Sequence, residues 1–400
     1  MLFRNKKIFL GGEQLIMKKF FWINLLVLGL VLLLLNGCAA EKPASPAPET
    51  EPKESTETTP TTEKPIILRF ANYFAGESGP GRIGQEFADD LKKLTSGRVE
   101  VEYYPGGMLL AADKMYDGVV EGIADIGFSN LGYTFGRFQV AEVLDLPMGF
   151  PNAWVSNHVN AEFYNKFKPK EWEDTHVLTF HSSPVNNIIT IDTPVYKPGD
   201  LKGLTLRGTG YIGKLVEALG ATARAVSMPE AYDNLAKGVI DGLLVPYETT
   251  KTFRYGEVTN CVTEVWPLGQ VYTFYLVMNK TTWNQLPADI QEIITKYIEE
   301  EYLEKLANMW NDIDIEGKQY AIEAGYEIIE IQASDLGEWE ELAAKVREDY
   351  IQSMVAAGYA EEEVKGWMDF IKERIEYWTE KQKELGIKSS TGPDEVRFQF

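Results

Sequence analysis

Strand-like and helix-like runs alternate along this chain in two successive sets, a rhythm that restricts it to an α/β architecture with parallel strand pairs. In the first set, residues 66–73 read as a buried strand, and residues 84–94 place Phe87, Ala88, Leu91 and Leu94 on one helical face. Residues 99–104 alternate in the strand manner and stop at Pro105-Gly106-Gly107. A helix over 113–121 and a strand over 124–128 follow. The second set comprises strand-like 177–180, 188–191 and 201–207, helices over 212–219 and 229–237, and an apolar run over 239–245. Two such units in one chain imply two lobes with a cleft between them. Residues 288–316 contain neither glycine nor proline and repeat apolar side chains at helical spacing. At 1.5 Å per residue they extend to roughly 40 Å, which predicts a helix spanning both lobes.

The chain before residue 66 differs in kind. Met17-Lys18-Lys19 is a basic start, residues 20–35 are apolar except for Asn24, and Asn36-Gly37-Cys38 follows. The run is shorter than the roughly 20 residues of a bilayer-spanning helix, so residues 1–37 are expected to be a cleaved lipoprotein signal with Cys38 lipidated. Residues 1–16 precede a more natural start at Met17. Glu, Pro, Thr, Ser, Ala and Lys dominate 38–64, the composition of a disordered tether. The chain is therefore expected to work outside the cytoplasm, anchored to the membrane by lipid. With five basic and one acidic residue in the signal, 34 basic and 59 acidic residues remain beyond it. That acidity repels phosphate backbones and argues against a nucleic-acid partner. Past Cys38 the only cysteine is Cys261, so packing and not an intrachain disulfide must hold the fold.

A set of motifs occurs in order: Phe70-Ala71-Asn72-Tyr73, residues 101–107, Gly122-Ile123-Ala124-Asp125-Ile126-Gly127, Asp145-Leu146-Pro147, residues 200–207, and Pro229-Glu230-Ala231-Tyr232 through Gly238-Val239-Ile240-Asp241-Gly242. Together they resemble the DctP-type solute-binding proteins of TRAP transporters over residues 66–325. The resemblance implies a two-lobed, periplasmic-binding-protein-like α/β fold with a mixed, mostly parallel sheet in each lobe. Expected boundaries are 66–186 plus about 274–325 for lobe I and 187–273 plus about 326–385 for lobe II, with 386–400 a loose tail. It also implies an organic-acid ligand and delivery to a small and a large membrane subunit driven by an ion gradient; some relatives bind a metal ion with the ligand, but no acidic ligand set for one is readable here, and no cofactor or metal is expected. A monomer is expected.

In that family an arginine ending the leucine-lysine-glycine strand holds the ligand's carboxylate, and the matching residue is Arg207. A planar guanidinium meets a carboxylate through two parallel hydrogen bonds, which lysine cannot reproduce. Asp200 and Glu230 are the structural carboxylates that Arg207 would otherwise pair with. Some relatives carry a second arginine where this chain has Asn187, which donates a hydrogen bond but cannot neutralise a second carboxylate. A polar stretch of the family is here Leu243-Leu244-Val245-Pro246-Tyr247. Tyr73, Phe74, Met228, Tyr247 and Tyr272 are the expected apolar and aromatic contacts, with Tyr133, Trp266 and Phe274 on neighbouring segments, and Asn130 ends a strand where its amide meets polar ligand atoms. These residues favour a hydrophobic or aromatic monocarboxylate. A C4-dicarboxylate or sugar acid is the alternative ligand. A sensor's binding module or a secreted hydrolase is the alternative class, although His158, His176 and His181 match no common zinc spacing and no Gly-x-Ser-x-Gly elbow is present.

Overall fold

The computed structural model describes residues 64–400, so the expected signal, Cys38 and the tether up to residue 63 lie outside the described residues. Eleven strands run in chain order there: β1 (Ile66–Asn72), β2 (Val99–Tyr104), β3 (Ile126–Asn130), β4 (Thr175–Ser182), β5 (Asn187–Thr190), β6 (Thr205–Arg207), β7 (Thr222–Arg224), β8 (Gly242–Val245), β9 (Cys261–Glu264), β10 (Thr273–Asn279) and β11 (Glu327–Glu330). The principal helices are α1 (Gly79–Leu94), α2 (Ala153–Phe167), α3 (Gly210–Ala218), α4 (Met228–Ala236), α5 (Ala288–Tyr297), α6 (Leu303–Glu323), α7 (Leu336–Ala356) and α8 (Glu361–Leu385).

The strands form two sheets, ordered β2-β1-β3-β10-β4 and β11-β9-β5-β8-β6-β7. Each is mixed. In the first, β1 is parallel to β2 and β3, while β10 is antiparallel to β3 and β4. The second joins β6 in parallel to β7 and β8, and β9 to β11, with β5 antiparallel to β8 and β9. Helical crossovers produce the parallel pairs; β10 returns from the second lobe without one, which permits antiparallel pairing.

Local chemistry starts the elements that frame the cleft. The Ser78 hydroxyl accepts from Gly81 N at 3.1 Å and caps α1, Pro80 occupies its first turn, and Lys92 and Lys93 sit at its negative end. Its apolar face packs on β1, where the Phe70 and Phe87 rings meet edge to face at 5.7 Å.

The long helix is present and longer than the glycine-free run indicated. It runs through α5, a π turn over Ile298–Tyr302 and α6, roughly 54 Å at 1.5 Å per residue. At its first-lobe end Tyr302 Oη donates to Ile83 O at 3.2 Å, and Lys305 reaches Glu86 and Asp90 at 2.6 Å each. At the other end Gly317 lies on the backbone of Tyr247, where a Cβ would stand 2.4 Å from the carbonyl oxygen. Only glycine allows that approach.

Two expectations are corrected. Helix α8, expected in the second lobe, lies along α2 of the first: Arg374 pairs with Glu162 at 2.5 Å, and Asn152 Nδ2 donates to Gln382 Oε1 at 2.9 Å. Residues 386–400, expected to be loose, are packed, with Ser389, Ser390, Thr391 and Val396 buried. The cause is the polar face of α6. Asn311 Nδ2 donates to Lys388 O at 2.7 Å, Lys318 Nζ donates to Ser390 O at 3.0 Å, and Ser390 Oγ donates to Asp314. Buried polar groups on that face require partners, and the tail supplies them.

Burial pushes the Asp145 and Glu248 carboxyls up to about 8 and those of Glu142 and Asp314 up to about 7. These groups hold protons that the unfolded chain has released, so their stabilising contribution is lost as pH rises through those values. Burial lowers His181 to about 3 and His176 to about 4, which works in the opposite direction but only below the ordinary histidine value near 6.5. Urea unfolding is therefore expected to show stability falling between about pH 6.5 and 8. Asp145→Asn, which keeps an acceptor for Thr273 N (2.7 Å), flattens that slope. Stability that is flat or rising across this window in the unaltered chain contradicts the assignment.

Candidate functional site

Strand β6 lies between β7 and β8, and its last residue, Arg207, is wholly buried. The guanidinium Nε donates to Val226 O at 3.0 Å and Nη1 to Tyr272 Oη at 2.5 Å, with the Tyr272 ring centroid 5.1 Å from its central carbon. Nη2 is buried and has no hydrogen-bond partner among the described residues. Neither structural carboxylate reaches it. Asp200 Oδ2 accepts from the peptide nitrogens of Tyr196 and Lys197 at 3.0 and 3.1 Å. Glu230 Oε2 accepts from Ser227 N at 3.1 Å and Oγ at 2.6 Å, closing a capping box at the start of α4. A buried guanidinium without a carboxylate is costly, and an incoming anion in bidentate geometry offsets that cost.

Arg207 forms one wall of a chamber of about 20 Å³, room for little more than one water, between the lobes. Tyr73, Phe74, Asn130, Met228 and Tyr272 line it, as do Phe274 and Ser183. Phe74 is the aromatic hub: Tyr73 stacks on it at 4.3 Å, and Phe253 and Phe274 lie 5.6 and 5.9 Å away. Asn130 Nδ2 donates weakly to Tyr73 Oη at 3.4 Å, while Asn130 Oδ1 has no partner among the described residues. Burial pushes the Tyr272 hydroxyl up to about 12, keeping it protonated beside Arg207. Behind the wall, His181 stacks on Phe274 at 5.3 Å and accepts from Trp310 Nε1 at 3.1 Å.

Tyr73 also faces a larger cleft of about 530 Å³ that leads outward between Gly107, Tyr133, Thr209 and Glu230. The lobes touch across it. Tyr133 Oη accepts from Met228 N at 3.1 Å, and a Cβ on Gly132 would lie 2.6 Å from Thr209 Oγ1.

Other expected residues fall elsewhere. Tyr247 is not on the chamber wall: its hydroxyl donates to Glu264 Oε1 at 2.8 Å, and Lys318 Nζ pairs with the same oxygen at 2.6 Å. Pro246 and Glu248, its neighbours, line the chamber instead, because the chain turns after Pro246 into the short helix Thr249–Thr252, with Glu248 already in helical conformation. Asn187 lines neither cavity. It pairs with Val245 in the ladder, next to Pro246, and its buried amide has no partner among the described residues. Trp266 lines neither cavity as well. Glu248, Thr249 and Phe253 are chamber residues that the sequence reading missed. The available signal was a lone carboxylate two residues past Pro246 at the end of an apolar run.

Comparison with known proteins gives the same architecture. The chain is 28% identical to a TRAP solute-binding protein of Rhodoferax ferrireducens T118 solved with copurified benzoate, covering 79% of this chain and 99% of that one at a TM-score of 0.73. A marine-metagenome TRAP solute-binding protein described as specific for aromatic acid ligands, solved with metahydroxyphenylacetate, is 25% identical over 78% of this chain and 99% of its own, also at 0.73. The C4-dicarboxylate-binding periplasmic protein DctP of Rhodobacter capsulatus is 26% identical over 306 residues, 74% of this chain and 90% of that protein. The profile of DctP, the bacterial extracellular solute-binding protein family 7, matches residues 78–353. With two mixed-sheet lobes enclosing a buried arginine and a profile match over more than half its length, the chain belongs to the DctP family of TRAP solute-binding proteins.

Proposed function

We propose that this chain captures a hydrophobic or aromatic monocarboxylate between its lobes and hands it to the membrane subunits of a TRAP transporter. The observation that carries the reading is Arg207 Nη2, a buried cationic donor with no partner among the described residues. In this reading Arg207 binds the carboxylate, Tyr272 fixes the guanidinium, Asn130 meets a polar ligand atom, and Tyr73, Phe74 and Met228 enclose the body. Arg207 is the only cation among the described residues lining the chamber. A second buried carboxylate would lack a counter-charge, which disfavours a dicarboxylate. A chamber with room for little more than one water does not hold an aromatic acid, so the lobes stand further apart in the bound form than here, and their closing on the ligand is favoured by contacts that it makes with both. We further propose that the chain has no catalytic activity, acts as a monomer and is held to the membrane through a lipid on Cys38.

Native mass spectrometry of the purified chain, followed by denaturing release of what co-purifies, tests this. A one-to-one complex with an aromatic or branched monocarboxylate is the expected result. A released dicarboxylate or sugar acid overturns the ligand class, and conversion of the acid to product overturns the non-enzymatic role.

A further inference from the structure

The chamber has a second polar pole that the carboxylate anchor does not use. Glu248 is 3% exposed and lines the same chamber, and its Oε2 has no hydrogen-bond partner among the described residues. Its backbone is held in place by the Glu248 N to Asp314 Oδ1 bond of 2.9 Å. Asn130 Oδ1, on the wall contributed by the other lobe, is likewise buried without a partner. Both unused atoms are oxygens, whereas the unused atom of Arg207 is a donor. Phe74, Phe253, Phe274, Met228 and Pro246 supply apolar surface, and the Ser183 and Thr249 hydroxyls on the wall already donate to Pro184 O and Pro246 O, so a ligand that satisfies all three atoms is apolar between two polar groups.

We infer that Glu248 is a specificity-determining residue: with Asn130 Oδ1 it receives a hydroxyl on the ligand's body, so that the chain selects hydroxylated over unsubstituted aromatic monocarboxylates. This rests on the reading of the chamber as an aromatic-acid site anchored by Arg207. Burial pushes the Glu248 carboxyl up to about 8, so at neutral pH it is protonated and both gives and takes a hydrogen bond with a neutral hydroxyl. An ammonium at that place would carry a second ion into an apolar chamber, a far larger desolvation cost than that of a hydroxyl. An unsubstituted ring leaves Glu248 Oε2 and Asn130 Oδ1 buried and unpaired, and sites built to pair with a hydroxyl reject the analogue lacking it.

Calorimetric titration of the purified chain with benzoate, 3-hydroxybenzoate, 4-hydroxybenzoate and their methyl ethers tests the inference. One hydroxy acid is expected to bind about tenfold or more tighter than benzoate, and its methyl ether to lose that gain. Glu248→Gln, which still gives and takes hydrogen bonds, keeps the preference, and Glu248→Leu brings the ratio to within about twofold of unity. Equal affinity for benzoate and both hydroxy acids, or a preference that survives in Glu248→Leu, overturns the role of Glu248 and leaves the aromatic-acid reading standing. Tighter binding of 3-(aminomethyl)benzoate than of either hydroxy acid overturns the choice of a hydroxyl. If none of these acids binds, the aromatic-acid reading fails, and this inference with it. The methyl-ether comparison needs no variant and decides the matter even where Glu248→Leu does not fold.

Discussion

Arg207→Met is expected to weaken binding of the co-purifying acid by about 10²- to 10³-fold while leaving the fold intact. The ligand's carboxylate then enters a chamber with no cation on its wall among the described residues. Breaking a buried pair by removing one partner costs about 3–5 kcal/mol, and the lower part of that range, about 3–4 kcal/mol, corresponds to the expected loss in affinity. Stability without ligand moves little or rises, because the substitution also removes the cost of burying an uncompensated guanidinium. What it gives up are the bonds to Val226 O and Tyr272 Oη. Arg207→Lys keeps the charge but not the fork, and is expected to lose at least about tenfold. Calorimetry on the three proteins, with thermal melting as a check on folding, decides the point. Binding within about threefold of the unaltered chain in Arg207→Met would show that the carboxylate is held elsewhere.

The second large effect concerns stability. Lys318→Met is expected to cost about 3–5 kcal/mol in urea unfolding. Lys318 Nζ and Glu264 Oε1 are 2.6 Å apart with side chains only 10% and 1% exposed. The same lysine donates to Ser390 O, and the same glutamate oxygen accepts from Tyr247. Removing the cation leaves the buried Glu264 carboxyl group without its counter-charge. Lys318→Met combined with Glu264→Leu is expected to recover much of the loss, since an apolar pair of similar volume carries no desolvation cost. A loss below about 1 kcal/mol for the single substitution would mean that water reaches Glu264 and screens it.

That contrast between Tyr247 and Glu248 marks where sequence reading stops. Period-2 and period-3.6 patterns are local, so β1, β2, α1 and the long helix were legible from residue spacing alone. Arg207 was legible through resemblance, because its strand ends in the motif where the DctP family carries an arginine. The acidic character of the chain and the lack of an intrachain disulfide framework followed from composition. Which of two adjacent side chains after β8 faces the chamber depends on how the chain turns from that strand into the next helix, and on what packs against the turn. The same holds for α8, an amphipathic helix whose apolar stripe suits either lobe until Glu162 meets Arg374. It holds for the tail too, whose serines and threonine look solvated until α6 presents Asn311, Asp314 and Lys318 to them. Spacing along the chain determined the elements, and the family motif pointed to Arg207. Only the packed structure decided which polar atoms were left without partners, because satisfaction of a buried group depends on every element that surrounds it.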